Sequence, residues 1–373
     1  REAVCQQCHL QADGRVLRAN LATFDYRPGL PLHQFWSVFF IAADSTSVQK
    51  AVGQVEQLHG SRCYRESRGK LDCTSCHDPH RTPAPQERIA FYRERCQSCH
   101  APSGCSLPVA QRSQQSPDDS CIQCHMPRRD TDIVHTALSD HRILRQPDQK
   151  REPLIAPRRD QLDGTPLVHF HAELADPRDP GISRDRGIGL TLLAQSPEGR
   201  AARTPLGQMA VPLLQPAVTA WPDDVAAWEA LGYAYWLQGQ VQQAQESYDT
   251  ALRLAPDREK VLVDLAQLNA GIGRRDAAIG YCQRAIAVNP YVSSYYAGLA
   301  ELYASVGEWQ KSVAACQSAL KLNPADRETR KMLVSSYLRM GNRQQALAEF
   351  EVFVQLDPPE REPALRKWLA DQM

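Results

Sequence analysis

Three phrases between residues 73 and 127 repeat one pattern, Cys-x-x-Cys-His: CTSCHDPH (Cys73–His80), CQSCH (Cys96–His100) and CIQCHMP (Cys121–Pro127). A fourth copy, CQQCH, occupies Cys5–His9. Two thiols at this spacing add across the two vinyl groups of one porphyrin, and the imidazole of the next residue reaches the iron. A lone copy also fits a redox dithiol or half a zinc site. Four copies, each with His directly after the second Cys, predict four covalently held c-type haems. Cys5, Cys8, Cys73, Cys76, Cys96, Cys99, Cys121 and Cys124 would be the attachment points, and His9, His77, His100 and His125 the proximal iron ligands.

The first cysteines of successive motifs are 68, 23 and 25 residues apart, so the last three haems must lie close together. Segments that short bury little apolar side chain of their own, and the porphyrins are expected to supply most of the core. Residues 1–150 therefore read as a loop-rich, haem-cored domain, with helices near 48–60 and 86–98. The apolar run FWSVFFIAA (Phe35–Ala43) is about half the length that spans a bilayer and reads as a buried element packed on a haem. No membrane anchor is expected.

Each iron needs a second axial ligand, which decides whether it carries electrons or binds a substrate. Seven further histidines are on offer. His80 is too near His77 to reach the opposite face of the same porphyrin but can serve a neighbouring one. His59, His135 and His141 are further candidates for distal ligation, with His33 behind them. His169 and His171 alternate as in a strand and read as structural. Met126, directly after His125, cannot swing round to the same iron.

The sequence up to about residue 145 resembles multihaem cytochromes c related to the tetrahaem electron carrier of ammonia oxidisers, especially the branch fused to tetratricopeptide repeats. The matching phrases are DYRPGLPL (Asp25–Leu32), SRCY (Ser61–Tyr64), LDCTSCHDPH (Leu71–His80), CIQCHMP (Cys121–Pro127) and DHRI (Asp140–Ile143). The resemblance implies closely stacked haems, most of them with two histidines on the iron. One departure stands out: the 20 residues between His100 and Cys121 contain no histidine, where related sequences often place one.

Residues 151–182 hold five of the 26 prolines and read as an extended linker. From about 183 a 34-residue period takes over. Trp228, Leu231, Gly232, Tyr235, Gly239, Ala244, Tyr248, Ala251 and Pro256 sit at tetratricopeptide positions, and adding 34 three times recovers equivalent residues as far as Phe350 and Pro358. Small residues fall where two helices cross closely. Glycine closes the first helix of each repeat, and proline stops the second. Four full repeats over 225–360 are expected, with a degenerate repeat before them that holds Ala210 and Ala217, and a capping helix over 360–372. The fold class is thus mostly α: a tetrahaem cytochrome c domain followed by an α-solenoid of tetratricopeptide repeats.

Four cysteines lie outside the haem motifs. Cys63 and Cys105 read as a disulfide closing a loop of about 42 residues, worth roughly 4 kcal/mol on a chain-entropy basis. Cys282 and Cys316 fall at one position of successive repeats and read as inert packing. Acidic and basic side chains balance at 43 each, which gives no argument for a nucleic-acid or anionic-membrane partner. Covalent haem is attached outside the bacterial inner membrane, so the expected location is periplasmic or extracellular. The chain opens four residues before Cys5 with no charged-then-apolar leader, so an export signal is expected to have been removed or left out of it.

Two functions follow. The leading one is electron transfer through closely packed, mainly bis-His haems, with the repeats docking a redox partner or like subunits, a cytochrome filament being a special case. The other is an enzyme of nitrogen-oxide or peroxide chemistry at one five-coordinate haem.

Overall fold

The apolar run that starts at Phe35 becomes a strand at the centre of a sheet. The computed structural model describes residues 2–10, 12–41, 53–68, 70–100, 104–116, 118–129, 138–145, 165–174 and 179–372. Gly14–Leu17 (β1) pairs antiparallel with Trp36–Ile41 (β2), Phe39 facing Gly14. Arg128–Arg129 (β3) and Leu138–Ser139 (β4) form a separate small pair. Leu167–His169 (β5) completes the first sheet on the far edge of β2, His169 opposite Phe39. Part of the stretch expected to be a linker is therefore a strand. The alternation in Leu167–His169 buries its first and last residues, and the open edge of β2 gives its backbone partners.

The chain divides into two compact units, Arg1–Leu193 and Ala194–Met373. In the first, the helices are Glu2–His9 (α1), Gln54–Gly60 (α2), Arg62–Ser67 (α3), Cys73–Cys76 (α4), Arg88–Gln97 (α5), Val109–Gln115 (α6), Cys121–His125 (α7) and the longer Pro180–Gln195 (α8). Its side-chain core is built on both faces of β2. Val38 and Phe40 join Leu10, Leu32 and Val55 on one face. On the other, Phe39 meets α8 at Gly189, where an added Cβ would lie 3.2 Å from the Phe39 ring and 3.0 Å from Leu167. The Ser37 hydroxyl donates to buried Asp185 of α8 at 2.6 Å.

The second unit is helical throughout its described length. Arg203–Ala220 (α9) precedes four helical pairs: Val225–Leu237 and Val241–Leu254 (α10, α11), Glu259–Gly271 and Arg275–Val288 (α12, α13), Ser293–Ser305 and Trp309–Leu322 (α14, α15), Arg327–Arg339 and Arg343–Gln355 (α16, α17). Glu362–Gln372 (α18) closes the array, burying Leu369 and packing Trp368 against Phe350 and Phe353. No helix among the described residues is long and apolar enough to cross a membrane.

One backbone device sets the period. Gly239, Gly273, Gly307 and Gly341 have φ between 72° and 79°, a region costly for residues with a Cβ. After each, the next N–H reaches the carbonyl five residues back, as Gln240 to Tyr235 (3.0 Å) and Arg274 to Asn269 (2.8 Å), while the glycine N–H bonds three back. This double closure turns the chain sharply into the second helix. Where the paired helices cross, Ala244, Ala278, Ser312 and Ala346 are fully buried. Tyr248, Cys282, Cys316 and Phe350 fill the next level, and burial pushes the two thiols up to about 11 and about 12, so they stay protonated packing groups.

A second recurrent contact extends the array to α9. The Gln283 amide donates to the Tyr303 hydroxyl (2.9 Å) and Gln317 to Tyr337 (3.0 Å), each across 20 residues. Gln215 of α9 makes the same bond to Tyr235 (2.7 Å), so α9 serves as the second helix of a degenerate repeat despite Pro212 and Pro216 within it.

Gly232 is where this packing is least forgiving: an added Cβ would sit 2.8 Å from the Tyr248 ring. Gly232→Ala should lower stability by about 1–3 kcal/mol, whereas Gly280→Ala, in the middle of α13 with open space around it, should raise it by about 0.5–1 kcal/mol. Denaturant unfolding of the two variants checks both signs.

Burial also raises Asp264 to about 6 despite its contact with Lys260. Its carboxyl is ionised more readily in the unfolded chain, so its contribution is most favourable below pH 4 and is lost as pH rises from about 4 to about 6, by at most about 3 kcal/mol. Relative to Asp264→Asn, the unaltered protein should gain stability on acidification across that window, as followed by unfolding midpoints at pH 4.5 and 7.

Candidate functional site

The four Cys-x-x-Cys-His motifs each sit on or at the end of a short helix. Cys5 and Cys8 lie on α1 with His9 its last residue. Asp72 caps α4, accepting from the Ser75 N–H (3.0 Å) while the Ser75 hydroxyl meets the Asp72 N–H (3.0 Å), so a single turn is held at both ends. His77 leaves that turn extended, at φ −112° and ψ 135°. Cys96 occupies the end of α5, and the His100 N–H returns to the Cys96 carbonyl (2.9 Å). Ser116 braces the approach to α7, accepting from the Ser120 N–H (3.0 Å) and donating to Gln123 (2.6 Å).

These helices form a row in sequence order: α1 packs on α4, α4 on α5, and α5 on α7. Thiols of neighbouring motifs meet along it. Burial, then the neighbouring Cys5, pushes Cys73 up to about 12. Burial, then Cys121, pushes Cys96 up to about 11. Burial also raises Cys76 and Cys124.

Among the described residues no disulfide joins Cys63 to Cys105, the pairing expected from the sequence. Cys63 instead feels Cys99, and Cys105 is the neighbour that acts on Cys124. Each thus lies near cysteines of the Cys-x-x-Cys-His motifs.

Several imidazoles are held through Nδ1, which leaves Nε2 free. Nδ1 of His9 lies 3.2 Å from the Gln54 amide oxygen, that of His125 2.6 Å from the Leu144 carbonyl, and that of His141 2.9 Å from the Ser139 carbonyl. Nδ1 of His77 faces the Tyr92 hydroxyl at 3.5 Å. This is the orientation that a metal-ligating histidine takes from its outer partners. Burial lowers the pKa of both His77 and His141, keeping them in the neutral form that binds metal. None of these orienting partners carries a signal in the sequence.

The phrase DHRI has a physical reason. Asp140 and Arg142 are buried and form a two-pronged ion pair (2.6–3.2 Å) around His141. The His141 N–H is held by Gln57 of α2 (2.8 Å). The turn bearing this histidine is thereby fixed from both ends.

The other candidates are placed differently. His59 is bonded to Glu2 through Nε2 and stacks on Tyr64 (4.0 Å between ring centres) and Phe170 (5.0 Å). His80 is exposed in a turn whose N–H contact is Asp78 (2.9 Å). His33 lies 5.6 Å from His171, ring centre to ring centre. His135 falls outside the described residues. His169 and His171, read as structural, are buried, and both ring nitrogens of His169 and Nδ1 of His171 meet no hydrogen-bond partner. Burial above all holds them at about 4 and about 3, so both are neutral.

Two observations bear on whether these residues suit haem. Among the described residues between Leu58 and Leu167, which include three motifs, no large apolar side chain is buried. A chain segment of that length needs an apolar body from elsewhere to fold around, and a porphyrin is such a body. The second is an open cleft of about 530 Å³ on the first motif, lined by Cys8, His9, Asp13, Arg15 and Gln54 among others, within the range of cofactor sites. Among the described residues no group of three or more His, Cys, Asp or Glu converges as a site for a bare metal ion. An iron already held by a porphyrin needs only one or two imidazoles. The residues fit haem.

Comparison with known proteins bears on the other unit. Family profiles described as tetratricopeptide repeat match residues 208–259, 235–303 and 296–328. No curated protein matches the chain. Among solved structures, "Crystal structure of MamA protein" is 23% identical and covers 50% of this chain and 94% of that one, with a TM-score of 0.42. "Crystal structure of MamA" is 24% identical and covers 45% and 97%, with a TM-score of 0.40. Residues 208–328 therefore carry tetratricopeptide repeats, an architecture for protein–protein interaction.

Proposed function

We propose that this chain is an exported multihaem c-type cytochrome that passes electrons along four haems and uses its repeats to dock a redox partner or further copies of itself. The observation that carries the reading is the unbroken row of four Cys-x-x-Cys-His helices, in sequence order, in a segment with little apolar core of its own. The eight motif cysteines would hold the four groups covalently, and His9, His77, His100 and His125 would be proximal ligands. When bound, haem supplies one-electron exchange. The protein orients the imidazoles through Gln54, Tyr92, Leu144 and Ser139 and favours the neutral form of His77 and His141. Attachment outside the inner membrane makes the periplasm or the extracellular space its place of work. The repeats offer a concave stack suited to a helix or extended peptide of the partner.

A second reading attaches to the third motif. His100 is exposed, and no histidine follows it before Cys121. An iron there with one open position would suit nitrogen-oxide or peroxide chemistry.

Protein made with the haem-attachment machinery should show four added haem groups by intact mass and four haems per chain by alkaline pyridine spectra. A colourless product, or fewer than four, sinks the main reading. Carbon monoxide titration of the reduced native protein separates the two readings: no binding is expected for the carrier, and one equivalent for the enzyme.

A further inference from the structure

Two imidazoles in the first unit are spaced as partners on one metal. The rings of His77 and His141 have centres 6.2 Å apart, with planes 28° from parallel. Closely overlapped rings stand nearer, as His59 and Tyr64 do at 4.0 Å; offset-packed rings share the wider spacing, so the ligand reading takes the hydrogen bonds as well as the distance. Two imidazoles bound on opposite sides of one iron, with metal–nitrogen bonds of about 2.0–2.1 Å and ring centres about 1 Å behind the nitrogens, stand about 6 Å apart.

The hydrogen bonds agree with that spacing. Both rings are engaged at Nδ1, His77 by the Tyr92 hydroxyl and His141 by the Ser139 carbonyl, so Nε2 is the nitrogen left for a metal on each. Neither ring reached this position loosely. His77 extends from the capped turn of α4, and His141 sits between the Asp140–Arg142 ion pair with its N–H on Gln57. Such bracing from outside the pair is what a preformed ligand set requires. His33 and His171 are also close, at 5.6 Å, but neither belongs to a Cys-x-x-Cys-His motif, and Nδ1 of His171 has no orienting partner.

We propose that His77 and His141 are the two axial ligands of a single iron, that of the haem attached at Cys73 and Cys76. The assignment rests on the multihaem reading above, and it pairs a proximal histidine with one 64 positions further along the chain. It makes the DHRI turn a ligand arm of the second motif and not of the first or fourth.

The test uses the full-length, haem-loaded protein and low-temperature electron paramagnetic resonance of its oxidised form, which counts low-spin and high-spin irons. His141→Ala should convert one iron from low to high spin, and added imidazole should reverse the change. In a Cys73→Ala/Cys76→Ala background, which lacks the second haem, His141→Ala should then convert no further iron. A new high-spin iron in that background means that His141 serves another haem and overturns the pairing, as does a wild-type spectrum in the single variant. If the Cys73→Ala/Cys76→Ala protein fails to accumulate, His77→Ala, His141→Ala and the double variant give the same answer: one altered iron in all three supports the pair, and two in the double variant refute it. A protein without haem would instead overturn the cytochrome reading itself, a result that mass analysis of the unaltered chain reveals first.

Discussion

Burial of one strand on both of its faces governs the first unit. Val38 and Phe40 draw Leu10, Leu32 and Val55 to one side of β2, and Phe39 draws Leu167 and α8 to the other. Fully burying an aliphatic or aromatic side chain is worth about 1.5–3 kcal/mol each, far more than any single hydrogen bond among the motifs. The consequences run outward from there. Leu10 fixes the end of α1 and with it the first motif. Val55 fixes α2, which then presents Gln54 to His9 and Gln57 to the N–H of His141. The small apolar core thus orients histidines that it never touches.

The second unit obeys a different constraint, close approach of helix backbones. Alanine, serine or glycine at the crossings admits the neighbouring helix, and a positive-φ glycine in each repeat returns the chain at the same angle. Because the same geometry recurs every 34 residues, one error of register would displace every later pair. The substitution of Cys282 and Cys316 for the larger Tyr248 and Phe350 at equivalent positions is tolerated because the level is apolar and each site relaxes with its own neighbours.

This difference explains what the amino-acid sequence reveals and what it conceals. Repeat boundaries, the closing glycines and the degenerate repeat before Trp221 are all legible, since each is set by residues close in the chain and repeated. The motifs themselves are legible for the same reason, but the short helices Glu2–His9, Cys73–Cys76 and Cys121–His125 that carry three of them lie where loop is expected. Long-range pairings are not. The alternation of His169 and His171 hints at a strand inside the expected linker, but nothing near it announces that Leu167–His169 will complete the edge of β2, 126 or more positions away. Nothing near Cys63 and Cys105 tells that each will lie by a different motif. The partners of the histidines are backbone carbonyls and common amides, types with no motif to betray them.

The chemical identity of those partners sets the electrical character of the row. The groups on Nδ1 of His9, His77, His125 and His141 are an amide oxygen, a hydroxyl and two carbonyls, all neutral. A carboxylate in their place would push the imidazole towards imidazolate and add a buried charge that costs several kcal/mol to desolvate. Glu2, by contrast, meets His59 at Nε2, the nitrogen that the other four leave free. Beside His141 the buried carboxylate of Asp140 is met by the buried guanidinium of Arg142, so the two charges offset each other. On the cytochrome reading proposed above, imidazoles braced from outside by uncharged groups would leave the energy of an added electron to be set by burial and by neighbouring haems, and little by charges on those partners.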